Sequence, residues 1–477
     1  MLFFPARYGA SMKLRVRYQD LRAAAAKLAE AAELAASDNF WERHHSEINR
    51  EQLLLYVKNE RLRLRVCDPN TQTQLFLTLK TELLEQSSPR MLTVRLQHFQ
   101  EQLDSLSSAQ FVTLSTDDTD FIRHRDHDEE LPRRNPKLRE LHIKGSSESV
   151  TLRYSEPYFL GSDKVSVRHH LLISERQLKY LLEHSLFCCN EGDYREYYRG
   201  VQFKVSKSQP QLLRCNAACG RSLAALDVKL QVPDDATEDL QALLGSRSAR
   251  QLLLLLNEES DELVTLEFSA TAFCARLPDC LFKTRIGESD SPDLRAAIPV
   301  TDSELTADLK MLLKSLERVQ QLSRYHGNRL QLIFAAAEDL TDDGTDFTER
   351  ALRRHRLVKP TGQALPKTAV KKNLKRTAAA TASSPQGASA FGCLFLQYVN
   401  SVGENDRLKV EGSAYRGSTC RLLLNPYGLN EILHSLSECE QVRLSFERQS
   451  RKAVVLTPAA PVPDLPAALT YTLACLH

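Results

Sequence analysis

Arg195-Glu196-Tyr197-Tyr198-Arg199-Gly200-Val201-Gln202-Phe203 is the stretch whose reading decides the fold. A helix precedes it: Ser174 and Gln177 form a capping box, and Leu178, Leu181, Leu182 and Leu186 recur on one helical face. Strand-like runs follow at Val201 to Val205 and Leu212 to Asn216, and then the turn Ala217-Ala218-Cys219-Gly220-Arg221-Ser222-Leu223-Ala224. Helix, aromatic and basic loop, and paired short strands make one α+β unit.

The unit repeats outward from there. Asp234 and Asp235 read as the start of a second helix, with Leu240, Leu243 and Leu244 on one side and Gly245 as its stop. Leu252 to Leu256, Leu263 to Phe268 and Ala272 to Leu277 read as strands. In the last third, Asp302 or Ser303 opens a helix carrying Leu305, Leu309, Leu312, Leu316 and Val319. Asn425-Pro426 opens another with Leu429, Ile432, Leu433 and Leu436, Pro standing in the favoured first position. Strands are expected at Leu330 to Phe334, Cys393 to Val399, Val442 to Phe446 and Ala453 to Leu456. The first third has Leu21, Ala25, Leu28 and Ala32 on one face and Leu96, Phe99, Leu103 and Leu106 on another, with strands at Gln52 to Val57 and Arg61 to Val66. Six helices in three pairs, each set among short strands, predict a tandem α+β repeat. At 477 residues, and roughly 150 residues per domain, three domains are expected: 12–164, 165–300 and 301–477.

Composition fits a globular chain, 42% hydrophobic and 26% charged. No apolar run approaches the length of a membrane span, and the opening Met1-Leu2-Phe3-Phe4-Pro5 lacks the basic region of a signal peptide, so a cytoplasmic protein is expected, with Met12 as a possible start. Eleven cysteines, an odd number that includes the adjacent pair Cys188 and Cys189, read as reduced structural thiols. Between Arg350 and Arg376 there are ten Lys or Arg residues and no acid, inside a Pro-, Ala- and Ser-containing stretch. Residues 340–390 read as a basic, largely disordered insertion, either holding phosphates or serving as a solvated loop.

Catalytic and cofactor signatures are not apparent. There is no Gly-rich phosphate loop, and His44-His45 and His169-His170 are adjacent pairs whose side chains diverge. Cys215 and Cys219 have no second pair to complete a zinc site. Asp117, Asp118, Asp120, Asp126, Asp128, Glu129 and Glu130, near His124 and His127, read as a solvated acidic loop. No catalytic residue, metal or cofactor is expected.

The segment Ile173 to Leu223, then Ser291-Pro292-Asp293-Leu294-Arg295 ending at Pro299, then Leu424-Asn425 followed by Gln441-Val442-Arg443, resembles, in order and near spacing, the bacterial sliding clamp, the β subunit of DNA polymerase III. The resemblance implies three tandem clamp-type domains, each with two helices packed on antiparallel sheets, and a head-to-tail homodimer closed as a ring around double-stranded DNA. It implies a processivity factor with no chemistry of its own, whose partners are DNA polymerase, an ATP-driven clamp loader and repair proteins. Helix-borne Arg22, Lys27, Arg95, Arg176, Lys179, Lys310, Lys314 and Arg318 suit a sequence-independent phosphate contact.

By the same resemblance, Arg195, Tyr197 and Arg199 lie on a loop near DNA; the alternative is that the tyrosines pack beneath a sheet edge. A groove for short linear peptides would be lined by Tyr198, Ala218, Gly220, Arg221, Leu223, Pro292, Ala296, Ala297, Asn425, Leu473 and Cys475. The family's Thr-Asp-Gly-His-Arg-Leu turn here reads Ala218-Cys219-Gly220-Arg221-Ser222-Leu223, and a computed pI near 8.0 contrasts with the acidic clamps. An accessory clamp for repair, or a non-ring regulatory DNA-binding protein relying on residues 350–376, are the alternatives.

Overall fold

The computed structural model describes residues 12–34, 52–58, 60–68, 72–86, 91–106, 109–116, 140–154, 166–233, 238–287, 291–323, 329–341, 346–355, 391–398, 407–461 and 467–476. The helices described are α1 (Tyr18–Leu34), α2 (Leu96–Asp104), α3 (Glu175–Leu186), α4 (Ser246–Leu255), α5 (Leu309–Ser323), α6 (Glu349–Arg354) and α7 (Pro426–Ser435). The strands around them pair antiparallel, so the class is the expected α+β. No helix among the described residues is long and apolar enough to cross a membrane.

Contacts group the chain into two compact units. The first comprises Met1–Leu182, Arg199–Leu213 and Leu230–Asp290; the second comprises Glu183–Tyr198, Arg214–Lys229 and Ser291–His477.

In the first unit a five-stranded sheet runs in the order Glu82–Gln86, Met12–Arg17, Phe111–Thr116, Glu140–Lys144, Ser149–Arg153. An eight-stranded sheet runs His169–Ser174, Leu263–Phe268, Ala272–Arg276, Cys280–Arg285, Thr73–Lys80, Arg61–Asp68, Gln52–Lys58, Met91–Arg95. Period-2 patterning puts Leu62, Leu64, Val66, Leu75 and Leu77 on the face toward α1, whose own Leu21, Ala25 and Leu28 are buried. Helix α1 also packs against α2 and α4.

In the second unit the strands run Ser222–Lys229, Ala467–Ala474, Ala453–Pro458, Gln441–Phe446, Ser303–Asp308, Arg407–Arg416, Gly392–Tyr398, Leu330–Ala335, Cys420–Leu424. Phe334 lies at the centre of its core, with ring centroids 4.4 Å from Phe446 and 5.6 Å from Tyr415. Helices α5 and α7 pack together.

The capping box is present: Gln177 N donates to Ser174 Oγ and Ser174 N to Gln177 Oε1. Three expectations are corrected. Leu240–Gly245 is a strand, in register with Gly200–Ser206, and Leu252 to Leu255 belong to α4. Gly245 therefore precedes a helix rather than ending one; alternation buries Leu240, Ala242 and Leu244, whereas Ala249, Leu252 and Leu255 recur at helical spacing and are buried together. In the last third, Ser303–Asp308 is a strand with Ser303, Leu305 and Ala307 inward, and the helix starts at Leu309, where Asp308 Oδ1 accepts from Met311 N.

The start of the expected insertion is ordered. Leu340 bridges Phe347, and Thr348 caps α6 by accepting from Ala351 N. Asp339, whose side chain is 4% exposed, binds Arg354 Nη1 at 3.0 Å, His355 Nε2 at 2.9 Å and Thr419 Oγ1 at 2.6 Å. Burial would raise the Asp339 carboxyl; hydrogen bonds from Thr419 and His355 outweigh it and hold the group below the usual carboxylate range. Residues 356–390 lie outside the described residues, as do the opening Met1–Ala10, His44-His45 and the acidic stretch 117–130. His169 is buried while His170 is exposed at 3.4 Å from Glu267, the divergence expected of neighbours in a strand.

Candidate functional site

After α3 the chain turns through two local caps. Asn190 Oδ1 accepts from Gly192 N, and Asp193 Oδ1 accepts from Arg195 N, opening the short 3-10 turn Glu196–Tyr198. Asn190 N donates to Tyr198 O at 2.7 Å and closes the loop. Gly200 comes next because a Cβ there would strike the Leu244 carbonyl.

The hairpin formed by Gln209–Ala218 and Ser222–Lys229 ends at a turn in which Cys219 N donates to Ser222 O and Gly220 adopts φ +80°. A Cβ on Gly220 would sit 3.5 Å from Tyr198 Cε2 and 3.6 Å from Arg195 Nη2. The turn is thus packed against the Tyr198 loop.

A third segment, the 3-10 turn Leu294–Ala297, is capped by Asp293 and pinned by Arg295. Arg295 donates to Asn216 Oδ1 at 2.7 Å, to Leu226 O at 2.9 Å and to Asp227 Oδ1. The pin brings Leu294 and Ile298 onto Ala218 and Leu223, where Tyr197 and Tyr198 complete an apolar cluster. The two tyrosine rings meet edge-on, with centroids 4.6 Å apart.

On the other side of the turn, Ser222 is in register with Leu473, and Ala474 N donates to Arg221 O at 2.8 Å. Gly428, in the first turns of α7, leaves only the room that Leu473 Cδ1 needs: a Cβ would lie 3.1 Å from it. Asn425 caps α7 by accepting from Tyr427 N.

All eleven residues expected in the groove belong to the second unit. Tyr198, Ala218, Gly220 and Leu223 come together with Leu294 and Ile298, and Pro292, Ala296 and Ala297 lie exposed on the segment that carries Leu294. Arg221 and Leu473 follow through strand pairing, with Leu473 buried, and Asn425 stands at the start of α7. Cys475 is held by its main chain to Lys452 O, and burial pushes its thiol up to about 12.

Arg195 and Tyr197 are placed with the cleft. Arg195 Nε and Nη2 each donate to Asp193 at 3.0 Å, which lifts the guanidinium above its ordinary range, and Tyr197 packs in the cluster. Arg199 is exposed, and its carbonyl accepts from Ser246 N. Of the helix cations, Arg22 binds Asp104, Lys27 donates to Leu255 O and Lys179 binds Glu258, whereas Lys310, Lys314 and Arg318 are exposed along α5. Leu294, Ile298, Asp193 and the Arg295 pin were not singled out as cleft residues. The Asp-x-Arg spacing at 193 to 195 was the available signal.

Small residues around a partly covered apolar floor can hold side-chain anchors of an extended peptide. Two anchors of leucine size would contribute about 3–6 kcal/mol before ordering costs.

Tandem antiparallel α+β units with such a cleft define the class: the fold is that of a DNA polymerase sliding clamp. The chain superposes on the DNA polymerase III subunit beta of Pseudomonas aeruginosa with TM-score 0.69 and 16% identity, covering 98% of this chain and 100% of that one. It superposes on the sliding clamp of Bacillus subtilis with TM-score 0.68 and 14% identity, covering 98% and 99%. In sequence it is 25% identical to the beta sliding clamp of Bacillus subtilis (strain 168) over 168 residues, 35% of this chain and 43% of the relative. It is 24% identical to that of Proteus mirabilis over 165 residues, 34% and 43%. The matched stretch is thus less than half of each relative's length. No protein-family model matches.

Proposed function

We propose that this chain is a sliding clamp: a non-catalytic processivity factor that closes as a homodimer around duplex DNA in the cytoplasm and tethers polymerase. The observation that carries the reading is the superposition over 98% of the chain on a DNA polymerase III subunit beta. The clamp loader and repair proteins are its further partners, and the cleft around Tyr198, Leu223 and Leu294 is where their peptides bind. The three clamp-type domains, 12–164, 165–300 and 301–477, are part of the same proposal, as are phosphate contacts by Arg199 and by Lys310, Lys314 and Arg318 of α5.

An accessory clamp with its own partners is favoured by one observation. The cleft turn carries Arg221 and Ser222 where the family carries His and Arg, so its peptide preference differs. Light scattering with small-angle X-ray scattering tests closure: a hollow dimer is the expected result, and a monomer at all concentrations overturns the ring. Retention on nicked circular duplex, lost when the circle is linearised, tests topological hold. Retention that survives linearisation but disappears on deleting residues 350–376 would favour the non-ring DNA-binding protein.

A further inference from the structure

Leu223 of the apolar cluster is in register with Thr472, and Thr472 with Val455. Two residues further along the same sheet face the row reads Arg221, Ala474, Ala453: Ala474 N donates to Arg221 O at 2.8 Å, and Ala474 is paired with Ala453. Next to Ala453 in the chain are Arg451 and Lys452, and Cys475 N donates to Lys452 O at 2.7 Å. Adjacent strands are about 4.8 Å apart, so Arg221 and Ala453 stand about 10 Å from one another across Ala474. The two half-buried alanines thus floor a trough with Arg221 on one side and Arg451 and Lys452 on the other.

Arg221, Arg451 and Lys452 are exposed, and none of them has an ion pair among the described residues. Segments 218–223, 448–453 and 472–476 contain no Asp or Glu. Of the carboxylates around the cleft, Asp193 is engaged by Arg195, Asp293 accepts from Arg295 N and Glu447 accepts from the Ser450 hydroxyl. Other arginines of the same unit do have partners: Arg407 lies 2.8 Å from Asp346 and Arg443 3.9 Å from Glu304. Arg451 adopts φ +49°, a left-handed position where Gly or Asn is usual, and its Nε is fixed on Arg448 O at 3.1 Å. Three cations therefore converge on small residues at the end of the apolar cluster without a carboxylate of the chain between them.

We propose that this trough receives an acidic side chain of the partner peptide, so that the cleft selects segments with Asp or Glu beside their apolar anchors. The inference rests on the cleft being a peptide site and adds the chemistry of the peptide to it. Residues two apart in an extended chain are about 7 Å apart, the same step that separates Leu223 from Arg221. A peptide lying along this row with an apolar anchor on Leu223 therefore brings the residue two positions away level with the trough. Alanines let its backbone come close, and a guanidinium facing a second guanidinium and an ammonium suits one carboxylate between them. The cations flank a single short gap and do not extend as a row, so they do not follow a phosphate backbone.

Two fluorescein-labelled peptides test the proposal. Both carry Leu and Phe anchors, and they differ only in having Asp or Asn two positions from the Leu. In fluorescence anisotropy with the full chain, the Asp peptide is expected to bind about five-fold more tightly at low salt, and the preference shrinks as salt rises. Arg221→Gln with Lys452→Gln removes one exposed cation from each side, and it is expected to lower the Asp peptide's affinity to that of the Asn peptide. Equal binding of the two peptides by the parent protein overturns the proposal and leaves the peptide cleft standing, whereas binding of neither overturns both. A preference that persists in the double variant, folded by circular dichroism, also overturns it. So does displacement of the Asp peptide by oligothymidylate as readily as by unlabelled Asp peptide, which would assign the cations to nucleic acid.

Discussion

The Arg195 guanidinium lies over the Tyr198 ring, 4.3 Å from its centroid. Asp193 holds that guanidinium with two hydrogen bonds, and Gly220 closes on ring and guanidinium together. A cation at this place in the sequence invites the reading of a phosphate contact. In the fold the guanidinium also steadies the Tyr198 ring beside the apolar cluster of Ala218, Leu223 and Leu294.

Removing the carboxylate should loosen that wall. Asp193→Ala is expected to weaken binding of a clamp-binding peptide about three-fold by releasing Arg195 from the Tyr198 face. Retention on circular duplex should be unchanged. Calorimetric titration beside a circular-DNA retention assay separates the two effects, and an equal loss in both would return Arg195 to DNA.

Ala297 is exposed on the segment pinned by Arg295, so a larger charged residue there leaves the core intact. Ala297→Glu should lower peptide affinity at least ten-fold by placing a carboxylate where an apolar anchor must be desolvated. Circular dichroism and the urea midpoint should match those of the parent protein.

His184 gives the second unit a pH dependence. Its Nδ1 is 2.8 Å from the Tyr471 hydroxyl, and burial lowers its pKa from 6.5 to about 4. The unfolded chain therefore binds the extra proton first, and stability falls as pH drops from 6.5 toward 4. Between pH 7 and pH 5 the loss through this residue is about 2 kcal/mol. His184→Gln should lose less stability than the parent over that interval, by about the same amount in urea unfolding.

Asp339 receives three side chains in a site nearly closed to water. Asp339→Asn exchanges an acceptor for a donor facing Arg354 and His355, with an expected cost of about 1–3 kcal/mol. Because the lost bonds hold the end of α6, limited proteolysis should cut between residues 346 and 360 faster in the variant, with the α3 region unaffected.

Much of the helical pattern was legible from the sequence. The Ser174 box and the Asn425-Pro426 start depend on residues within one turn, and the structure forms both. Leu240 to Leu256 was misread because leucines at mixed spacing satisfy both a helix and a strand. Pairing with Gly200–Ser206 decides the first half, and burial of Ala249, Leu252 and Leu255 the second. In the cleft, Tyr198, Ala218 and Leu223 were legible by resemblance to a turn motif. Leu294 and Ile298 were not, because they join the floor only through Arg295, whose acceptors lie 68 to 79 residues away in the chain.

Local residue types therefore determined where most helices and strands begin, the basic character of residues 350–376 and the order of the repeated units. Capping, turn chemistry and periodicity act over a few neighbours and can be read from the chain. Tertiary structure alone decided that the Gly220 turn packs on Tyr198, that His184 is buried beside Tyr471, and that Leu294 and Ile298 reach Ala218 and Leu223. Each of these depends on strand register or on packing between segments distant in sequence, and local propensity carries no information about either.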